Sequence, residues 1–131
     1  MKHHPALKFA NSVISVLTLL QTSLEKQKAE AEAVELPQDW PAAQATLRSV
    51  AEDLMIAASI DEATRLLKRD LRAALTAVLV ARSLDPMTAR KLLRRAHAKS
   101  PPESSTLPCQ PLSYFLLEVA ENLRISKLPK A

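Results

Sequence analysis

The chain has 131 residues, a formal net charge of +4, 47% hydrophobic residues and no glycine. This length suits one domain, and the hydrophobic content excludes a chain that is disordered throughout. The lack of glycine argues against tight β-hairpins and glycine-rich phosphate loops, and the 3% aromatic content argues against base-stacking platforms for single strands. The nine prolines are the main helix-breaking residues, and they predict helices that end near proline.

The N-terminal part is predicted to be helical after a short disordered lead over residues 1–5. The helix is expected from Ala6 to about Val34, either as one helix or as two joined near Glu25. The segment from Glu25 to Glu35 is rich in helix formers but poor in large apolar side chains, so we expect it to be solvated.

The stretch from Phe9 to Leu24 contains 16 residues and no charge. It is shorter than the ~20 apolar residues that span a membrane, so no membrane span is predicted. Lys2 and Lys8 ahead of it resemble the start of a signal peptide, but no small-x-small cleavage site follows. We therefore expect a core helix, with a surface for a homodimer through Phe9–Leu24 and an export signal as the alternative.

The second helix is predicted from Pro41 to about Ala58, because proline suits the first helical position. One face of this helix carries apolar residues at helical spacing, and we expect that face to be buried. The residues of this face are Leu47, Val50, Ala51, Leu54 and Ala58.

The clearest helical pattern runs from Ser59 to Leu84, and it predicts one continuous helix. Ser59 and Glu62 have the spacing of a capping box, in which the glutamate reaches back to the amide of residue 59. The second half, Ala73 to Ala81, is uncharged, so we expect it at the centre of the core. The apolar stripe is expected to comprise Ala63, Leu67, Leu71, Ala74, Leu75 and Val78.

Asp85 and Pro86 predict the start of the next helix, which is expected to run to about Lys99. Its apolar stripe is narrow, and most of its other positions are basic. The segment 100–111 holds four prolines and is predicted to be an exposed, irregular connector.

The last helix is predicted from Leu112 to Ile125, followed by a frayed tail over residues 126–131. The stripe of this helix comprises Leu112, Phe115, Leu116, Val119 and Leu123. These elements together predict an all-α fold, with residues 1–131 forming a single-domain bundle of about five helices, mostly antiparallel.

A basic region between Arg65 and Lys99 stands out, with ten Lys or Arg residues against two acids. We expect nine of these residues to bind an anionic partner. They are Arg65, Lys68, Arg69, Arg72, Arg90, Lys91, Arg94, Arg95 and Lys99. The favoured partner is an acidic protein surface, which would make the chain an adaptor, chaperone or regulator. The alternative without a partner is that this face is only solvated. Some of its charges would then pair within the chain, with Glu25–Glu35, Glu52 or Asp53.

The alternative function is DNA or RNA binding through phosphate contacts made by the helices 61–84 and 86–99. A helix-turn-helix over Leu79–Ala98 matches weakly. Its apolar positions would be filled by Leu79, Ala89 and Leu92, and the residues toward the groove would be Arg90, Lys91 and Arg94.

No enzyme, cofactor or metal site is predicted. His97 is surrounded by basic residues, which does not suit a general base, and the sequence has no E-x-x-H pair for a di-metal centre. Cys109 is expected in the proline-rich connector, away from a helix start and from any histidine that would lower its pKa. A single cysteine fits a reducing compartment, and we expect the cytoplasm.

Overall fold

A computed structural model describes residues 5–26, 40–100 and 107–123 of the chain. These residues form six α-helices and one 3₁₀ turn around a common hydrophobic core, which confirms the all-α bundle. The elements are α1 (Pro5–Glu25), α2 (Trp40–Ile56), α3 (Ile60–Leu67), the 3₁₀ turn (Lys68–Asp70), α4 (Leu71–Arg82), α5 (Pro86–Lys99) and α6 (Gln110–Asn122).

Helix α6 lies at the centre of the bundle. It contacts α1, α2, α4 and α5, and its contacts with α2 and α5 are the most extensive between described helices. All five residues predicted for its apolar stripe are buried. The prediction that Ala73–Ala81 lies in the core is confirmed for seven of its nine residues, although the central helix of the bundle is α6 and not α4. Most of that stretch is buried in α4, but Leu79 is 38% exposed and α4 makes smaller contacts.

Helices α2 and α6 are joined by side chains that donate hydrogen bonds to main-chain carbonyls of the facing helix. The bonds run from Gln44 Nε2 to Ala120 O (2.9 Å), from Ser113 Oγ to Ala51 O (2.7 Å) and from Gln110 Nε2 to Met55 O (3.3 Å). Residue numbers rise along α2 while they fall along α6, so these two helices run antiparallel. The small side chains of Ala51 and Ser113, both fully buried, let the two backbones approach closely.

The predicted single helix from Ser59 to Leu84 is instead two helices separated by the 3₁₀ turn. Asp70 leaves the helical region, with φ −142° and ψ 77°, and its Oδ1 accepts a hydrogen bond from the amide of Ala73 at 3.0 Å. A short acidic side chain that bonds to the backbone in this way favours a helix start over a helix interior. Asp70 therefore begins α4, and α3 ends before it.

The capping box before α3 is formed with one change. Ser59 Oγ accepts from the amide of Glu62 at 3.0 Å, as predicted, but Glu62 Oε2 accepts from the amide of Ala58 at 2.9 Å instead of that of Ser59. Ala58 is exposed and Ala57 is buried, because α2 ends at Ile56 and the chain turns there. The prediction of a buried Ala58 is therefore wrong.

Other predicted boundaries also shift. Pro5 belongs to α1 instead of the lead, and α1 ends at Glu25. Helix α6 begins at Gln110, two residues before the predicted start, so the end of the proline-rich connector is helical. The predictions for residues 1–4, 27–39, 101–106 and 124–131 lie outside the described residues.

Replacing Asp70 tests whether its side chain stabilises the start of α4. We expect Asp70→Ala to lower the free energy of unfolding by about 1 kcal/mol, because the amide of Ala73 loses its acceptor. Asp70→Asn keeps an acceptor oxygen and is the matched control with a smaller loss. Urea denaturation measures both, and an Asp70→Ala variant as stable as the parent would show that the cap contributes nothing.

Candidate partner-binding surface

The nine predicted binding residues lie on two different parts of the bundle. Four of them belong to α3, the 3₁₀ turn and the start of α4, where α3 packs against α1 and α2. The other five belong to α5, which packs against α6 and α1. The structure therefore divides the predicted basic surface into two groups whose supporting helices differ.

One cation of the first group already forms an ion pair within the chain. Arg69 Nη2 lies 3.7 Å from Asp53 Oδ1 on α2, which is one of the internal pairings expected as an alternative. Arg65 and Lys68 are exposed. Because Arg69 already has a carboxylate beside it, the charge that this group offers to a partner is reduced.

A cleft of about 310 Å³ lies beside this group, between α2, the 3₁₀ turn and α4. It contains the carboxylates of Asp53 and Asp70. Asp53 pairs with Arg69 and Asp70 caps α4, so both carboxylates already have partners in the fold. These two carboxylates of the cleft therefore serve the fold next to the break between α3 and α4.

The second group contains four exposed cations, Arg90, Lys91, Arg94 and Arg95, which we call the α5 basic face. Among the described residues, no carboxylate forms an ion pair with any of the four. The fifth residue, Lys99, is different, because its Nζ donates to Glu118 Oε2 on α6 at 2.6 Å. Lys99 thus links α5 to α6. The role of all nine residues in binding a partner stays a prediction.

The position of α5 follows from its apolar stripe and its cap. Leu92 and Ala96 are buried against the core, and the ring of His97 lies 5.3 Å from the ring of Phe9 on α1. Asp85 caps the helix start, as predicted, by accepting from the amide and the hydroxyl of Thr88. Because one side of α5 is held in this way, its cations are placed on the opposite side, facing solvent.

Met87 lies at the start of α5, about one turn before these cations, and was not among the predicted binding residues. It is 80% exposed, the most exposed large hydrophobic side chain in the described part of the chain. Lys91 and Arg94 are four and seven residues further on, so all three share one face of α5. The helical spacing from Met87 to the cations was visible in the sequence and would have identified it.

The helix-turn-helix expectation is not supported by the packing. In that motif, apolar residues such as Leu79 lie between the two helices, but Leu79 is exposed on α4. Helix α5 packs on α6 and α1, and its direct contact with α4 is slight. The predicted placement of Arg90 and Arg94 in a major groove therefore loses its structural basis.

Cys109 differs from its prediction in two ways. It is fully buried instead of exposed, and it stands at the start of α6 instead of in a connector away from any helix. Burial raises the pKa of the Cys109 thiol above its ordinary value of 9.0, because a thiolate would lose its hydration. The described residues contain no group of three His, Cys, Asp or Glu side chains that could hold a metal ion.

Helix α1 is, in the described part of the chain, the one helix long and apolar enough to cross a membrane by length and composition. Core helices of soluble proteins and signal sequences meet the same criterion. Comparisons of the chain with protein families, with curated proteins and with solved structures found no match.

The cap of α5 predicts a dependence of stability on acid. The hydroxyl and then the amide of Thr88 lower the pKa of Asp85 below its ordinary 3.8, so the ionised form stabilises the fold. This stability is present above pH 3.8 and is lost as the pH falls through the lower pKa of the folded state. We expect Asp85→Asn to lose less stability than the parent between about pH 5 and pH 2, measured by urea denaturation. Equal losses of stability in Asp85→Asn and the parent would contradict this role of the Asp85 carboxylate.

The contact between Lys99 and Glu118 predicts a difference between two lysines of one helix. Lys99→Ala leaves the buried Glu118 carboxylate without its cation, and we expect a loss of about 1–2 kcal/mol in the free energy of unfolding. Lys91→Ala is the matched control, with an expected change within about 0.5 kcal/mol because Lys91 is exposed. Similar values for the two variants would show that the ion pair does not stabilise the docking of α5.

Proposed function

We propose that the protein is a non-enzymatic helical interaction module that binds an acidic surface on another protein through the α5 basic face. Its role is that of an adaptor, chaperone or regulator. The observation that carries the proposal is the exposed Met87 on the same face as Lys91 and Arg94. An apolar anchor with cations on the following turns of the same helix face suits a protein partner that offers a hydrophobic contact next to acidic residues.

The two kinds of side chain have different tasks in this proposal. The four cations of the α5 basic face have no internal ion pairs among the described residues, so their field attracts and orients an acidic partner. Met87 supplies affinity, because burying a methionine side chain contributes about 1.5–3 kcal/mol. Flexible methionines are also frequent on surfaces that accept helical partners.

Nucleic acid is the alternative partner, and the same four cations favour it. Each phosphate contact would add affinity that falls with salt. A large exposed apolar side chain at the N-terminal end of the cationic face has no task in phosphate binding, and for this reason we favour the protein partner.

The experiment compares three variants in capture of partners from a lysate of the native host, followed by affinity measurements with the captured protein and with an unrelated DNA duplex. Arg90→Glu with Arg94→Glu reverses the α5 basic face, and Met87→Ser removes the apolar anchor. Arg65→Glu with Lys68→Glu is the matched control, because it makes the same charge change on the other basic group. All these residues are exposed, so we expect each variant to remain folded.

We expect the reversal on α5 and Met87→Ser each to weaken binding of the captured protein by about tenfold or more, and the control to leave it unchanged. The protein contact should survive moderate salt. Binding to the duplex that falls by about 0.9 logarithmic units per phosphate contact for each tenfold rise in salt, without dependence on Met87, would favour the nucleic acid alternative. Loss of binding in the control alone would place the site on the other basic group.

A further inference from the structure

Helix α1 buries one side and leaves the other side open. Three large apolar side chains on the open side are exposed, Leu7 by 60%, Ile14 by 54% and Leu19 by 50%. They are half of the six exposed large hydrophobic residues in the described part of the chain. Four uncharged polar residues share this side with them. They are Asn11, Ser15, Thr18 and Thr22, and together these seven residues form what we call the α1 outer face.

The polar groups of the α1 outer face are already partly satisfied. Thr18 Oγ1 donates to Ile14 O at 2.8 Å, and Thr22 Oγ1 donates to Thr18 O at 3.0 Å. Arg82 of α4 reaches across and donates to Thr18 Oγ1 at 3.3 Å. Because the hydrogens of both threonines are bonded within the helix, covering Thr18 and Thr22 would leave neither hydroxyl donor without a partner.

We propose that the α1 outer face binds the same face of a second copy of the chain and forms a two-fold symmetric homodimer. In such an interface, each residue near the axis meets its own counterpart, so a charged residue there would face a like charge. The two charged residues of α1, Lys8 and Glu25, lie near its ends, and none lies from Phe9 to Leu24, so the middle of the outer face can pair with itself without meeting a like charge of the same helix. The homodimer does not depend on the proposed function of α5.

The position of Arg82 selects the direction of the pairing. Arg82 contacts Thr18, which lies one turn beyond Ile14. In an antiparallel pair centred on Ile14, the two Thr18 positions are separated by about 12 Å along the helices, and the two guanidinium groups are kept apart. A parallel pair would bring both guanidinium groups to the same level. The geometry therefore favours an antiparallel pair with Ile14 at the axis.

The size of the face sets the expected strength of the dimer. Helix α1 has 21 residues and is about 31 Å long. A contact one helix wide over this length is narrow beside the interface of about 1,600 Å² that is standard for stable complexes. We therefore expect weak dimerisation that depends on protein concentration.

The first experiment is sedimentation equilibrium of the full chain over a range of concentrations. We expect a monomer–dimer equilibrium for the parent chain and at least about tenfold weaker association for Ile14→Arg, because two added cations would meet at the axis. Ile56→Arg is the matched control, since Ile56 is 64% exposed on α2 and its replacement should not affect association. Circular dichroism checks that both variants are folded.

The second experiment is a cross-link with a conservative change at the same position. Cys109 is buried, so the thiol introduced by Ile14→Cys is the accessible one among the described residues. We expect mild oxidation to give a disulfide-linked dimer for Ile14→Cys, because two thiols at the axis can approach within bonding distance, and little dimer for Ile56→Cys.

Three results of these two experiments would overturn the proposal. They are a parent chain that stays monomeric up to about 1 mM, an Ile14→Arg variant that dimerises like the parent, and equal cross-linking of the two cysteine variants. A monomer that binds phosphatidylglycerol vesicles through Ile14 would show that a lipid surface covers the α1 outer face, and this would also overturn it.

Discussion

The close antiparallel packing of α2 against α6 is the constraint on which the rest of the bundle depends. Ser113 and Ala51 meet where the two helices are fully buried, and the serine hydroxyl bonds to the facing carbonyl. A larger residue at either position would push the backbones apart, since cores are packed without spare volume. Gln44 makes a similar bond near the other end, so side-chain contacts set the register of the pair.

This packing determines how α5 presents its charges. Helix α6 offers α5 an apolar surface and one buried carboxylate, Glu118, which Lys99 reaches. The remaining cations of α5 lie on the side opposite its buried stripe, where no carboxylate of the described residues pairs with them. The basic character of the surface is thus a consequence of where α6 places its single inward acid as well as of the composition of α5.

Much of the fold could be predicted because hydrophobic periodicity is a local signal. The bounds of α5 agree with the prediction, since Asp85, Pro86 and the following stripe all indicate the same helix. The break at Asp70 was missed because the apolar spacing continues through it, and only the capping preference of the aspartate marks the interruption. The burial of Cys109 and the pairing of Arg69 with Asp53 depend on residues far apart in the chain, which a periodic pattern does not reveal.

The place of Cys109 has a practical consequence for studying motion in this fold. The thiol lies at the first turn of the central helix and is shielded from solvent. A thiol reagent can reach it only when that end of α6 detaches from its neighbours, so the rate of alkylation reports the free energy of that local opening. The native chain therefore carries its own reporter of how firmly the middle of the bundle is closed, without any added label.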